Sequence, residues 1–147
     1  MNKKYDYGFN VCQKLRELGF RATKTKIALL ELLKKNDKPL SVKSIIDIWE
    51  GKAPNQTTLY RALADLIKKG VVDRVDFNNS IAYFEYKLDR PHHHHIICSK
   101  CGEIEDVSSC LIGNLKNSII AKKSKKFKKI YSHSVEFFGN CLNCVNK

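Results

Sequence analysis

Residues 91–102 read Pro-His-His-His-His-Ile-Ile-Cys-Ser-Lys-Cys-Gly, so His92, His93, His94 and His95, four of the chain's five histidines, adjoin Cys98 and Cys101, two of its six cysteines. A second Cys-x-x-Cys pair, Cys141 and Cys144, lies near the C-terminus. Two such knuckles supply the four thiolates that close a tetrahedral structural zinc site. No coordination position stays open there, so the ion's work is to staple the end of the chain to a central strand pair and add folding free energy. The competing reading is a redox pair, but a thioredoxin-like pair starts a helix, whereas Gly102 follows the first pair here as in zinc knuckles.

The four thiolates need none of the histidines. Side chains alternate along a strand, which puts His93 and His95 on one face and His92 and His94 on the other. Two imidazoles on one face, joined by carboxylates from elsewhere, make a mixed nitrogen and oxygen site suited to zinc, ferrous or manganous ions. Such a site exchanges its ion more readily than four thiolates do, as a sensor requires. The plainer alternative, imidazoles that only solvate a strand end, bears more on His92 and His94 than on the other two. Cys12 and Cys110 read as small packed thiols.

The elements that must position these residues are constrained by length and charge. A chain of 147 residues holds one or two small domains and is too short for a large enzyme fold. Its 27 Lys and Arg against 15 Asp and Glu leave a net charge of +12. That excess favours an anionic polymer as partner, nucleic acid first. There is no 18-residue apolar run and no signal-peptide core after Met1-Asn2-Lys3-Lys4, so a cytoplasmic protein without a membrane partner is expected. In that reducing compartment six cysteines point to metal rather than to disulfides.

Val11, Leu15 and Leu18 predict a first amphipathic helix over 7–19, and Thr23 caps a second that runs through 27–33 and breaks at 36–39. Ser41 caps a third with an apolar stripe of Val42, Ile45, Ile46 and Trp49. A fourth spans 55–69, with Leu59, Leu63, Leu66 and Ile67 toward the core and Gly70 closing it. On its opposite side Thr57, Arg61, Ala64 and Lys68 line up, with Tyr60 on the flank. A basic, small-residue face of this kind fits a major groove, although a merely solvated face has the same composition. Strands over 71–77 and 81–86 around 78–80 form a hairpin, which completes a winged helix-turn-helix. After a hinge at Pro91 come short strands near Ile96-Ile97 and at 104–107, a helix over 111–121, a lysine-rich turn at 122–129 read as solvated surface, and a strand over 130–138.

Leu18-Gly-Phe-Arg-Ala-Thr23, Thr57-Thr-Leu-Tyr-Arg-Ala-Leu63, Tyr83-Phe-Glu85, the segment 92–102 and the terminal Cys-x-x-Cys together resemble, in order, the motifs of the ferric uptake regulator family of bacterial metal-dependent transcription factors. The resemblance covers about residues 8–144. It implies an α+β protein: a winged-helix DNA-binding domain over 1–88, a hinge at 89–91, and a small α/β dimerisation domain with the four-cysteine zinc site over 92–147. It implies a homodimer that binds double-stranded operator DNA, is not an enzyme and takes no small-molecule substrate. Metal loading would repress uptake or homeostasis genes.

By position, Tyr60 and Arg61 match the family's recognition-helix pair and Arg21 a basic residue placed near the minor groove. Glu85, His93 and His95 match sensor ligands, Asp106 a carboxylate that completes the site in some members, and His133 a histidine of an accessory site with His92 and His94. Iron and peroxide sensors of the family bring a further histidine from before the third helix, but this chain reads Lys38-Pro39-Leu40-Ser41 there and has no histidine before His92. Zinc sensors use an aspartate at the start of the wing, which Asp73 matches, so the sensor set is read as Asp73, Glu85, His93 and His95. That favours zinc slightly. Glu85 stands where zinc sensors carry cysteine, which leaves iron and manganese open. The accessory position for a carboxylate is Gly113 here. The alternatives are a peroxide-sensing member of the family and a zinc-dependent hydrolase using the histidines with Glu85 as base.

Overall fold

The protein's computed structural model describes residues 4–77, 79–88, 90–108, 121–127 and 133–145, with backbone alone for 4–10 and 121. The chain divides into two compact units, Met1–Arg90 and Pro91–Lys147.

The first unit contains α1 (Lys4–Glu17), α2 (Lys24–Lys35), β1 (Leu40–Ser41), α3 (Val42–Asp47), α4 (Gln56–Lys68), β2 (Val72–Asp76) and β3 (Ala82–Tyr86). Three helices start where a short polar side chain can take an orphan amide. Thr23 Oγ1 accepts from Lys26 N at 3.3 Å, Ser41 Oγ from Ser44 N at 3.0 Å and Asn55 Oδ1 from Thr58 N at 2.8 Å. At the far end of α4, Gly70 takes a φ of 70° while Val71 N bonds back to Leu66 O, a turn that hands the chain to β2. Leu15, Leu29, Leu33, Ile45, Leu59, Leu63, Leu66, Val71 and Val72 are fully buried together. This core fixes which side of α4 faces solvent.

The strand order is β1-β3-β2, all antiparallel. The hairpin follows the sequence expectation, whereas β1 does not. Leu40 and Ser41 pair with Phe84 and Tyr83, making a third strand of only two residues, too short to leave a periodic trace. The third helix is also shorter than its apolar stripe predicts. It stops at Asp47, so Ile46 and Trp49 pack half-buried against the core from the helix end while Ile48 is exposed. Helix α1 starts earlier and ends two residues before the predicted limit at Gly19. Cys12 is half-buried rather than packed away.

The second unit has β4 (His94–Cys98), β5 (Ile104–Val107), α5 (Ala121–Lys123), β6 (Glu136–Gly139) and α6 (Leu142–Val145). Its sheet order is β5-β4-β6, with β5 antiparallel and β6 parallel to β4. The knuckle between β4 and β5 closes through Gly102 N to Cys98 O at 2.9 Å. Of the predicted helix over 111–121, all but Ala121 lies outside the described residues, as do Cys110, Gly113 and the stretch 130–132 of the last predicted strand. The single turn α6, which carries Cys144, has no counterpart in the sequence reading. Lys122, Lys123, Lys125 and Lys126 are exposed on a turn in which Ser124 Oγ accepts from Lys126 N and Phe127 N.

Candidate functional site

With Leu59, Leu63 and Leu66 in the core, helix α4 presents Thr57, Tyr60, Arg61, Ala64 and Lys68 on its exposed side. The Tyr60 ring is steadied at its base by an edge contact with Phe84 of β3, centroids 6.3 Å apart, and keeps 49% of its surface exposed. Lys26 of α2 ties the helix from behind through Asp65, at 2.7 Å. That contact lowers the Asp65 carboxyl below its ordinary value of 3.8, mainly through the hydrogen bond and charge of Lys26. Arg21 is exposed in the turn between α1 and α2.

On the hairpin, Asp73 lies opposite Glu85. Lys87 Nζ reaches Asp73 at 2.8 Å, and Arg90 Nη1 lies 3.5 Å from the buried Glu85 carboxylate. Neither cation was anticipated from sequence, because strand patterning says nothing about which charges meet.

In the second unit one ligand atom each from Cys98, Cys101, Cys141 and Cys144 lies within 4.8 Å of the others. A tetrahedron of sulfurs at roughly 2.3 Å from zinc has edges of about 3.8 Å. Cys101 Sγ and Cys141 Sγ are 3.7 Å apart, so the four residues fit such an ion. Cys141 N donates to Cys98 Sγ at 3.3 Å. That amide, with those of Cys101 and Lys100, pulls the Cys98 thiol down to about 6. Crowding acts the other way on Cys144, which the sulfurs of Cys101 and Cys141 push up to about 12. Cys101 is also raised: the Glu103 amide lowers it, but the Cys98 and Cys141 sulfurs outweigh that. The close sulfurs oppose ionisation of Cys101 and Cys144, and a cation bound among them would relieve that.

The histidines divide by face. His92, His94 and His133 each bring a ligand atom within 4.8 Å of the others, with His92 Nε2 3.1 Å from His133 Nε2. His94 is buried, and its Nδ1 donates to the Val135 carbonyl at 3.1 Å, which presents Nε2 as the lone-pair nitrogen. The His93 and His95 rings meet edge to face at 5.0 Å. His93 Nδ1 donates to the Pro91 carbonyl at 3.0 Å, and His95 Nε2 lies 3.6 Å from Asp106 Oδ1. These backbone partners fix ring orientation, as second-layer contacts do around metal ligands.

A winged helix-turn-helix with an exposed basic helix face, on one chain with clustered thiols and imidazoles, defines the class of metal-dependent transcriptional regulators. The chain belongs to the ferric uptake regulator family, whose description matches residues 17–138. It is 30% identical over 142 residues to the ferric uptake regulation protein of Neisseria gonorrhoeae, covering 94% of each chain. The iron-containing structure of the Francisella tularensis ferric uptake regulator superposes with a TM-score of 0.71 at 28% identity, covering 86% of this chain and 96% of that one. The Vibrio cholerae regulator does so with a TM-score of 0.69 at 28% identity, over 88% of this chain and 98% of that one. Members of the family are transcription regulators and not enzymes, which overturns the hydrolase reading. Among the described residues no helix is long and apolar enough to cross a membrane.

Proposed function

We propose that this chain is a metal-responsive repressor that binds operator DNA as a homodimer when its sensor site is loaded, and so controls genes of metal uptake or homeostasis in the cytoplasm. The observation that carries this reading is the exposed row Thr57, Arg61, Ala64 and Lys68 on α4, opposite a fully buried leucine stripe. A helix so aimed can enter a major groove, with Tyr60 and Arg61 at base edges and Lys68 and Arg21 at phosphates.

In this reading Cys98, Cys101, Cys141 and Cys144 hold a structural zinc. Asp73, Glu85, His93 and His95, with Asp106, form the sensor set, and His92, His94 and His133 an accessory set. The sensor donors are two imidazoles and carboxylates, which suit Zn2+, Fe2+ or Mn2+. Asp73 speaks for zinc, while the Neisseria gonorrhoeae relative is named for ferric uptake and the Francisella tularensis structure contains iron. A divalent cation there supplies a fixed charge and directional bonds. With that set loaded, the paired winged helices would not need to search for the geometry that two half-sites demand.

The test is DNA binding by the zinc-loaded protein with and without added sensor metal, followed by fluorescence anisotropy on promoter fragments. Higher affinity with metal supports the switch, and equal affinity sinks it.

A further inference from the structure

Arg90 gathers three acceptors of the first unit. Its Nη2 donates to the Asn36 carbonyl at 3.2 Å and to Asp37 Oδ1 at 3.2 Å, while Nη1 lies 3.5 Å from Glu85 Oε2. The partners differ in exposure: the Glu85 side chain is 8% exposed, Arg90 19% and Asp37 98%. A carboxylate so buried keeps its charge only beside a cation. The guanidinium is always charged and can bond several acceptors at once, which a lysine cannot do with the same geometry.

The segment that anchors Arg90 follows α2 and leads into β1 and α3. Asn36 and Asp37 there deliver a guanidinium to Glu85.

We infer that Arg90 is the resident cation of the sensor site: it holds Glu85 in the metal-free protein and must yield that carboxylate to an arriving divalent ion, so it sets the metal concentration at which the regulator responds. This rests on the reading of Glu85 as a sensor ligand. Two consequences follow. Without Arg90 the buried carboxylate loses a cationic partner, which weakens the metal-free fold. The same loss removes a competitor for the incoming ion, which tightens metal binding. A residue that only braced the fold would weaken both.

The test uses full-length protein with its four-cysteine site zinc-loaded, and Co2+ as the probe, read by its visible absorption and by thermal melting. Arg90→Gln is expected to bind Co2+ about tenfold more tightly, a step of about 1.4 kcal/mol, and to melt lower without Co2+ but recover more on adding it. Asp37→Asn leaves Arg90 in place with one anchor fewer and changes only an exposed side chain, so it folds in any case. It is expected to tighten Co2+ binding by a smaller factor. Glu85→Gln serves as the control for the underlying reading. If Glu85→Gln leaves Co2+ affinity unchanged, Glu85 is no ligand and the sensor reading itself fails. If Glu85→Gln weakens binding while Arg90→Gln and Asp37→Asn leave it unchanged or weaker, the role of Arg90 is overturned and the sensor reading stands.

Discussion

Asp73 stands directly opposite Glu85 in the register of β2 and β3, so two carboxylates share one face of the hairpin. Like charges in that position destabilise a sheet. Each is answered by its own cation, Asp73 by Lys87 at 2.8 Å and Glu85 by Arg90 at 3.5 Å. The pair thus sets two hard oxygen donors side by side on a small sheet, as a site for a divalent ion requires.

Replacing Asp73 by Asn removes the like-charge opposition and frees Lys87. The metal-free protein should therefore melt no lower than wild type. If Asp73 is a sensor ligand, metal affinity should fall by about tenfold or more, on the scale seen when metal-site residues are altered. Calorimetric titration beside thermal melting reads both. Unchanged affinity would remove Asp73 from the sensor set and weaken the preference for zinc.

The exposed face of α4 separates two kinds of DNA contact. Arg61→Ala should cost about 1–3 kcal/mol of discrimination between operator and altered sequence, as for an arginine reading a base edge. Lys68→Ala should weaken binding evenly across sequences and reduce the slope of log affinity against log salt by about one. Both residues are exposed while Leu59, Leu63 and Leu66 are buried, so melting temperature should hold in both. Equal behaviour of the two variants would argue that the face is only solvated.

What was legible from residues alone was local. The caps at Thr23 and Ser41 are written in single side chains that bond three residues ahead, and the leucine stripe of α4 repeats over about two turns, whereas Asn55, read as the first residue of α4, is its cap. The thiol pairs were legible by spacing, and the strand alternation that separates His93 and His95 from His92 and His94 is the arrangement the rings adopt. What escaped depends on partners distant in the chain. Leu40 and Ser41 become a strand only because Phe84 and Tyr83 lie beside them. The parallel run of β6 along β4 and the carbonyls of Pro91 and Val135 behind the imidazoles follow from tertiary placement. Arg90 meets Asp37 across 53 positions, and no motif announces it.

If the four-cysteine cluster holds zinc as proposed, removing it should cost more than an ion. With Cys98 lowered to about 6 it is mostly thiolate at neutral pH, whereas Cys144, pushed up to about 12, and the raised Cys101 hold their protons. Reloading zinc near pH 7 should therefore release at least two protons, those of Cys101 and Cys144. Affinity should fall as pH drops, more steeply below about 6 as Cys98 also takes up a proton. Zinc titrations of stripped, reduced protein in two buffers of different ionisation heat measure the count. Release of fewer than one proton would show that the cluster binds zinc some other way. Circular dichroism should show structure lost on stripping and regained on reloading.

The Lys26 and Asp65 contact carries its own pH signature. Because the Asp65 carboxyl is lowered in the folded protein, its contribution is fully present above the ordinary value of 3.8 and is lost as pH falls through the lowered value. Asp65→Asn should thus melt slightly below wild type at pH 7, with the gap closing in strong acid. Asp65 is exposed and the effect is small, so the shape of the pH dependence is the measurement that decides. A gap that persists in acid would mean the side chain packs rather than pairs.

The cluster of His92, His94 and His133 makes the sharpest statement about metal identity. Among the described residues the cluster is three imidazoles with no carboxylate, and the position that the resemblance gives to a carboxylate is Gly113, outside those residues. Nitrogen donors without carboxylate suit zinc, copper or nickel far better than manganese. His94 is oriented by Val135 O, so His94→Ala removes a ring held by the backbone, while His133→Ala removes the imidazole that meets His92. Zinc-loaded wild type should therefore bind a further equivalent of Ni2+ that both variants lose, whereas Mn2+ uptake should be the same in all three. The expected loss of Ni2+ stoichiometry is read by elemental analysis after dialysis. Should either variant lose Mn2+ along with Ni2+, the three imidazoles would belong to the sensor set rather than to a separate site.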